Sequence, residues 1–277
     1  MTVQKQNIDN YIKHLAKEER SKATIEKYTR EICAFSAWLA DADITKEAAV
    51  EYKRILGVKR KACSVNAAVS ALNGFFVFMN LQIKLKSLKI QTQVLREKEK
   101  ELTKAEYERL VKKAQSNGDK RLCLVLQTIC STGIRISELC FITLESARSG
   151  RTDIKNKGKT RTVFVPEKLQ TALTEYAMDI GIKTGSIFVT KKGNPINRSN
   201  IWAEMKKLCK AAGVPEVKVF PHNLRRLFAR EFYRVDKDVM RLADVLGHSN
   251  VNTTRIYLQE SGDIHRERIN ALGLMVA

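Results

Sequence analysis

The groups in this sequence that could do chemistry are arginines, histidines and one tyrosine, placed in four short segments. One lies far upstream and three lie near the C-terminal end: Thr132-Gly133-Ile134-Arg135-Ile136-Ser137-Glu138-Leu139, Pro221-His222-Asn223-Leu224-Arg225-Arg226, Leu246-Gly247-His248-Ser249 and Thr253-Thr254-Arg255-Ile256-Tyr257. Guanidinium groups match the oxygens of a phosphate, imidazoles move protons, and a phenol can be a nucleophile. The set indicates chemistry at a phosphodiester.

Two of the arginines lie one helical turn from a second polar group. Arg135 and Glu138 are three residues apart, a spacing at which an exposed helix also forms an ordinary ion pair. His222 follows a proline at a predicted helix start, and Arg225 lies one turn later, so both project from one face. Arg226 falls on the next face, where a plain surface cation is the alternative interpretation.

His248 and Tyr257 lie close together near the end of the sequence. His248 follows Gly247 in a predicted tight turn between helices, and Tyr257 lies on the short helix that comes next. A tyrosine in such a place is ordinarily a packing residue, and a lone histidine is ordinarily solvated. All of these ordinary interpretations would have to hold at once, so the combination favours an active site.

The charge balance of the chain favours a polyanionic partner. Its 277 residues include 50 Lys and Arg against 30 Asp and Glu, a formal net charge of +20. Such an excess repels itself in a folded protein, and nucleic acid is the commonest partner that offsets it. A basic protein that binds no polyanion is the alternative that charge alone leaves open.

The cysteines and the N-terminus favour a cytoplasmic or nucleoid-associated protein. The six cysteines are scattered without a C-x-x-C pair, and with only four histidines no zinc spacing occurs, so no metal site is expected. The first residues lack the apolar run of a signal peptide, and no apolar run reaches membrane-spanning length.

Hydrophobic spacing predicts a mainly α protein with two domains. Residues 1–83 contain apolar stripes at helical spacing and are expected to form a helical bundle. The lysine-rich residues 84–101 are predicted to be a basic linker. Residues 102–277, which open with a capping box at Thr103-Lys104-Ala105-Glu106, are expected to form an α-rich domain with a small antiparallel hairpin around Gly158.

In order and local context, the four segments closely resemble the tyrosine recombinase (phage integrase) family. The signature of that family is an arginine in T-G-x-R-x-S-E-L, an H-x-L-R pair, an L-G-H and a tyrosine in T-T-x-x-Y. The resemblance extends over essentially the whole chain. It implies a core-binding (SAM-like) helical bundle, a linker and a catalytic domain, as in simple Xer-like recombinases that lack an additional arm-binding domain.

The resemblance implies a catalytic role for each matching residue. Arg135 and Arg225 resemble the arginines that clamp the phosphate, and Tyr257 resembles the nucleophile that forms a 3′-phosphotyrosyl link. His222 resembles the residue that assists proton transfer, and His248 resembles the one that hydrogen-bonds the scissile phosphate.

In the family, a lysine on a β-hairpin protonates the leaving 5′-oxygen. Lys157, which precedes Gly158, is the best match, and Lys159 is the alternative. Glu138 resembles a supporting acid, while Leu227 departs from the pattern because a small hydroxyl residue is common there. Each step exchanges one phosphate ester for another of similar energy, so no cofactor is expected.

The resemblance also implies partners. The two domains are expected to embrace one DNA duplex as a C-shaped clamp, with a homotetramer on two duplexes and accessory DNA-bending or directionality proteins. The segment after Tyr257 is expected to pack either on its own subunit or on a neighbouring one. Basic residues of the first domain are expected to contact DNA, although a solvated helix face gives the same pattern: Lys22, Lys27, Arg30, Lys59, Arg60 and Lys61.

Two other functions remain open from the sequence. A type IB topoisomerase uses the same chemistry to relax supercoils without strand exchange, and a DNA-binding regulator would share the charge and the helices. Within the recombinase hypothesis, integration or excision of a mobile element, resolution of chromosome dimers and inversion of a segment all use the same residues.

Overall fold

The computed structural model describes residues 4–40, 42–90, 98–156, 159–190, 192–258 and 262–274. The chain divides into two compact units, Met1–Thr92 and Gln93–Ala277. Each unit has a hydrophobic core of its own. The division falls within the segment 84–101 that the sequence predicts to be a linker.

The N-terminal unit is a bundle whose helices begin at residues suited to helix capping. Ser21 and Thr45 each accept a hydrogen bond from a backbone N–H of the following turn, which starts the second and third helices. Phe35 and Phe75 lie fully buried in the core. The helices described in this unit are α1 (Lys5–Lys17), α2 (Lys22–Leu39), α3 (Lys46–Lys59) and α4 (Ala62–Phe78).

The extended segment that follows α4 is fixed to that helix by two asparagines. Asn73 donates its side-chain N–H to the carbonyl of Leu85 and accepts the N–H of Leu85. Asn66 makes the same pair of hydrogen bonds with Leu88. Because Asn66 and Asn73 are two turns apart, they lie on one face of α4. The first part of the predicted linker is therefore an ordered part of the N-terminal unit.

The C-terminal unit is also mostly helical. Its described helices are α5 (Lys104–Ser116), α6 (Lys120–Thr132), α7 (Leu144–Ser149), α8 (Glu167–Asp179), α9 (Arg198–Ala212), α10 (Pro221–Asp236), α11 (Val239–Leu246), α12 (Val251–Tyr257) and α13 (Gly262–Ala271). Short 3₁₀ turns occur at Lys98–Lys100, Ile136–Phe141 and Glu216–Lys218. The predicted capping box is present, with Thr103 and Glu106 bonded reciprocally at the start of α5.

A two-stranded antiparallel hairpin completes this unit. Strand β1 (Arg151–Asn156) pairs with strand β2 (Lys159–Phe164), so that Arg151 lies opposite Phe164 and Asn156 opposite Lys159. The mainly α architecture with a small antiparallel sheet, predicted from the sequence, is confirmed.

Helix α6 lies at the centre of the C-terminal core, and its C-terminal end leads directly to Arg135, one of the predicted site residues. Its buried face packs against α5, α8 and α10. Leu126 and Ile129 are completely buried there.

Nowhere in the described parts of the chain is there a helix of the length and apolar character needed to cross a membrane.

Candidate active site

The position of Arg135 is determined by the way in which helix α6 ends. Gly133 ends the helix with a φ of 65°, a left-handed conformation that favours glycine. A side chain at this position would also collide with the ring of Phe228, which packs against the glycine. After the buried Ile134, Arg135 is the residue that starts the 3₁₀ turn Ile136–Phe141. Its guanidinium is thereby presented at the edge of the core.

Glu138 is a buried carboxylate held between two arginines. Its oxygens accept hydrogen bonds from Arg135 Nη1 at 2.8 Å, from the Arg135 backbone N–H at 2.8 Å and from Arg161 Nη2 at 2.5 Å. Burial alone would raise the pKa of this carboxyl group, but these hydrogen bonds and charges outweigh burial and hold the pKa below its usual value. Glu138 is therefore ionised and fixes both arginines.

Arg161, on β2, is a site residue that the sequence did not reveal. Besides its ion pair with Glu138, it donates through Nη1 to the carbonyl of Val245, at 2.7 Å. Its side chain also occupies the space where a Cβ on Gly247 would lie. Gly247 has a φ of 64° and ends α11, so glycine is required there for two reasons. Arg161 thus ties the hairpin to the end of α11.

Arg225 projects from the first turns of α10 into the interior and is 1% exposed. Its Nη1 donates to the carbonyl of Gly133, and its Nη2 donates to the carbonyl of Leu246 at 2.5 Å. Burial, followed by the charge of Arg135, lowers the pKa of Arg225 to about 10, so the group remains a cation at neutral pH. Its Nε is buried, and none of the residues that the structure describes accepts a hydrogen bond from it.

His248 lies against Arg225 directly after the end of α11. Arg225 Nη2 is 3.2 Å from His248 Nε2, and His248 Nδ1 is 2.9 Å from Thr254 Oγ1. Burial, and after it the charge of Arg225, lowers the pKa of His248 to about 4. Because a guanidinium can only donate, we assign a neutral ring whose Nε2 accepts from Arg225 and whose Nδ1–H donates to Thr254.

Tyr257 is the last residue of α12 and faces the same cluster. Its ring centroid lies 5.1 Å from that of His248, with an angle of 41° between the planes. The guanidinium carbon of Arg226 lies 5.5 Å from the Tyr257 ring centroid. The ring also packs against a small buried cluster formed by Ala229, Leu242 and Leu246. Arg226, which the sequence left as a surface cation, is half-buried beside the tyrosine.

His222 lies in the first turn of α10, one turn before Arg225, and its side chain remains open to solvent. Partial burial lowers the pKa of His222 below its usual value, and the nearby guanidinium groups, led by Arg225, lower it further. The ring is therefore neutral at physiological pH and has a nitrogen free to accept a proton. This is the state that a general base requires.

The structure brings together most of the predicted site residues but does not describe all of them. Arg135, Arg225, His248 and Tyr257 converge, with His222 at the rim. Lys157 lies outside the described residues. Lys159 begins β2, so its backbone position in the hairpin is known. In the described ranges, no cluster of His, Cys, Asp and Glu side chains is suited to hold a metal ion.

The basic residues predicted to contact DNA differ in their surroundings. Most of them are exposed, namely Lys22, Lys27, Arg30, Lys59 and Lys61. Arg60 instead donates to the buried Glu31 at 2.6 Å, between α3 and α2. A role in DNA binding stays a prediction for all six.

Comparison with protein families decides what the chain is. The phage integrase family matches residues 100–262, which contain every residue of the cluster. The N-terminal SAM-like domain of phage integrases matches residues 8–82. The chain belongs to the phage integrase family. The prediction of a tyrosine-type site-specific recombinase is thereby confirmed.

Two tyrosine recombinases of similar length match this chain over nearly all of its residues. The tyrosine recombinase XerA of Pyrococcus horikoshii is 26% identical over 278 residues, which cover 97% of this chain and 94% of XerA. A tyrosine recombinase of Pseudothermotoga lettingae is 27% identical over 287 residues, covering 96% of this chain and 97% of that protein. The similarity therefore includes both units of this tyrosine recombinase.

Solved structures share the fold at lower identity. XerH bound to its difH substrate in a pre-cleavage complex matches with a TM-score of 0.72 and 20% identity, covering 93% of this chain and 87% of XerH. A lambda integrase dimer bound to a COC′ core site matches with a TM-score of 0.73 and 21% identity, covering 93% of this chain and 95% of that one. At these identities the comparison establishes the fold.

Proposed function

We propose that this tyrosine recombinase breaks and rejoins DNA strands at specific sites through a covalent bond between Tyr257 and a 3′-phosphate. The observation that carries the proposal is the cluster of Arg225, His248 and Tyr257. Two ring nitrogens, a buried guanidinium and a phenol lie within one small region, although their residues come from three helices or the turns beside them. Such a group suits attack on a phosphodiester.

In the first step, the 3′-phosphoryl group of one DNA strand is transferred from the 5′-oxygen of the next nucleotide to the oxygen of Tyr257. The oxygen of Tyr257 attacks phosphorus, the bond from phosphorus to the 5′-oxygen breaks, and a 3′-phosphotyrosyl link and a 5′-hydroxyl result. A phenol has an ordinary pKa of about 10, so the attack requires a base for its proton. His222 is the candidate base because its pKa is lowered and it is neutral. Lys157 is the proposed donor of the proton to the 5′-oxygen.

The arginines stabilise the charge that builds up during this step. A pentacoordinate phosphorus carries more negative charge on its oxygens than the diester does, and preorganised guanidinium groups lower the free energy of that state. Arg225 is rigid because it is buried and bonded to two carbonyls. Arg135 is rigid because Glu138 binds both its backbone and its guanidinium. Neither has to be reoriented when the phosphate arrives.

The second step reverses the first with a different strand. A 5′-hydroxyl from a partner duplex attacks the phosphotyrosyl link, and the phenol of Tyr257 leaves with a proton. Each step exchanges one phosphate ester for another of similar energy. The strands can therefore be rejoined without a nucleoside triphosphate. We propose a homotetramer on two duplexes as the assembly. A lambda integrase tetramer bound to a Holliday junction supports this by analogy.

DNA as the substrate is supported by charge and by related proteins. The net charge of +20 favours a polyanion. XerH and lambda integrase, which share the fold, were solved on DNA. We propose that Lys22, Lys27, Arg30, Lys59, Arg60 and Lys61 contribute phosphate contacts. The biological role, whether integration and excision of a mobile element or another rearrangement, depends on the sites recognised.

A trapping experiment tests the chemistry. Duplexes that the native chain enriches from a random pool would be rebuilt with a nick beside the cleavage point, so that the 5′-hydroxyl fragment diffuses away and the covalent adduct accumulates. The native chain should form an adduct that survives denaturing electrophoresis, and Tyr257→Phe should form none.

Three results would contradict the proposal. Adduct formation by Tyr257→Phe would exclude Tyr257 as the nucleophile. Failure to enrich any sequence would contradict site specificity, and relaxation of supercoiled plasmid without an enriched site would indicate a topoisomerase. Arg225→Lys is a second variant for the same trapping experiment, because it keeps the positive charge at this position and loses the planar guanidinium group.

A further inference from the structure

Arg226 is a cation beside the active site for which the described part of the chain supplies no polar partner. Its side chain is half-buried, and among the residues that the structure describes it forms no hydrogen bond and no ion pair. Its Nε is buried and has no acceptor within the described ranges. A buried donor left unpaired costs free energy, so such groups are uncommon in folded proteins and require an explanation.

The contact that Arg226 does make is with the proposed nucleophile. Its guanidinium carbon lies 5.5 Å from the centroid of the Tyr257 ring. A cation at this distance is attracted by the negative face of an aromatic ring, and the attraction is stronger where water is partly excluded. Guanidinium keeps its charge at neutral pH, so the attraction is permanent.

Tyr257 requires restraint from its side-chain neighbours because its backbone supplies little. It is the final residue of α12, which is only seven residues long. The last turn of a short helix has few internal hydrogen bonds and tends to fray. The ring of His248 packs against Tyr257 at 5.1 Å, and the guanidinium of Arg226 is a second restraint.

We propose that Arg226 is a positioning residue that holds the Tyr257 ring in the orientation from which its oxygen attacks phosphorus. This inference rests on the proposed function. Successive side chains on a helix point about 100° apart. Helix α10 can therefore direct Arg225 toward the phosphate and Arg226 toward the nucleophile. Holding reacting atoms in line is a large part of the rate that an enzyme achieves, so a small loss of orientation is measurable.

Substitutions that separate charge from bulk test the proposal. Arg226→Met keeps an unbranched apolar stem and removes the guanidinium with its charge, whereas Arg226→Lys keeps the charge and removes the planar fork. Arg234→Met is the matched control, because Arg234 lies on the same helix with a largely exposed side chain. DNA affinity and the single-turnover rate of adduct formation would be measured for each on the nicked duplex, with protein saturating.

The expected result is a slower reaction with unchanged binding. Arg226→Met should form the adduct about tenfold more slowly than the native chain, with affinity for the duplex within about twofold. Arg226→Lys should recover a substantial part of the rate, and Arg234→Met should match the native chain in both measurements. If Arg226→Met fails to fold, as judged by thermal unfolding, Arg226→Gln takes its place.

Several outcomes would overturn the inference. An unchanged rate in Arg226→Met would remove any role in catalysis. Equal slowing in the Met and Lys variants would indicate packing rather than charge, and a loss of affinity that accounts for the rate would indicate a direct DNA contact. The Tyr257→Phe variant, measured in parallel, separates the two proposals: if it forms the adduct, the proposed function fails whatever Arg226 does.

Discussion

Replacing Glu138 with glutamine should weaken both the fold and the reaction. Glu138 is 2% exposed, and its two oxygens bind Arg135 and Arg161. Glutamine keeps the shape but loses the charge, so two guanidinium groups remain near one another without their shared counterion. Breaking a buried ion pair on one side costs about 3–5 kcal/mol. Because glutamine retains one carbonyl acceptor, we expect about 3 kcal/mol for Glu138→Gln.

Calorimetry and adduct formation both report this change. For a unit of this size, about 3 kcal/mol lowers the unfolding temperature by roughly 6–12 °C. Glu108→Gln is the matched control, since Glu108 is exposed on α5. The adduct should also form more slowly, because Arg135 is no longer fixed from two sides. Equal unfolding temperatures for the Glu138 and Glu108 variants would refute the reasoning.

The pH dependence of this difference follows from the lowered pKa of Glu138. A carboxyl group whose pKa is lower in the folded state contributes its full stability above the ordinary glutamate value of about 4.3. That contribution is lost as the pH falls through the folded value. The gap in unfolding free energy between the native chain and Glu138→Gln should therefore be constant near neutral pH and should shrink below about pH 4.

Three further predictions concern other parts of the chain. Thr254→Val removes the acceptor of the His248 Nδ1–H and should slow single-turnover adduct formation roughly three- to tenfold, whereas Thr254→Ser should restore the rate. Arg60→Met leaves the buried Glu31 with the exposed Arg30, at 3.7 Å, as its remaining ion-pair partner among the described residues, and should destabilise the N-terminal unit by about 2 kcal/mol in denaturant titrations, whereas Lys59→Met should leave its stability unchanged. The affinity for duplex DNA, measured by fluorescence anisotropy, should fall steeply between about 50 and 200 mM salt, and a flat dependence would contradict phosphate contacts.

Local patterns predicted those parts of the fold that depend on neighbours in sequence. The stripe of Ile8, Tyr11 and Leu15 is buried because a spacing of three or four residues places side chains on one face of a helix. The capping box at Thr103 and Glu106 started α5 as expected, because its hydrogen bonds span three residues. Motif order, combined with the family resemblance, also predicted that Arg135, Arg225, His248 and Tyr257 lie in one site, and the cluster brings them together, while their catalytic roles stay predictions.

Contacts between distant segments were not predicted where a residue lies outside the four motifs or was interpreted as solvent-exposed. Arg161 has partners 23 and 84 residues away, Glu138 and Val245, and nothing around it in sequence marks them. Arg226 was interpreted as a surface cation because helical spacing gives a face but not what covers it. The lysines of residues 84–90 led to the prediction of a linker, although the backbones of Leu85 and Leu88 in that segment form hydrogen bonds with asparagines on α4. In each case the surroundings of the residue depend on tertiary contacts that the local sequence does not reveal.

The most direct test of the account is to identify the atom that joins protein to DNA. The trapped adduct would be digested with protease and nuclease, and the modified peptide sequenced by mass spectrometry. The account predicts a 3′-phosphate on the oxygen of Tyr257 and a 5′-hydroxyl on the released strand. A phosphate on any other residue, or a 5′-phosphate attached to Tyr257, would contradict it.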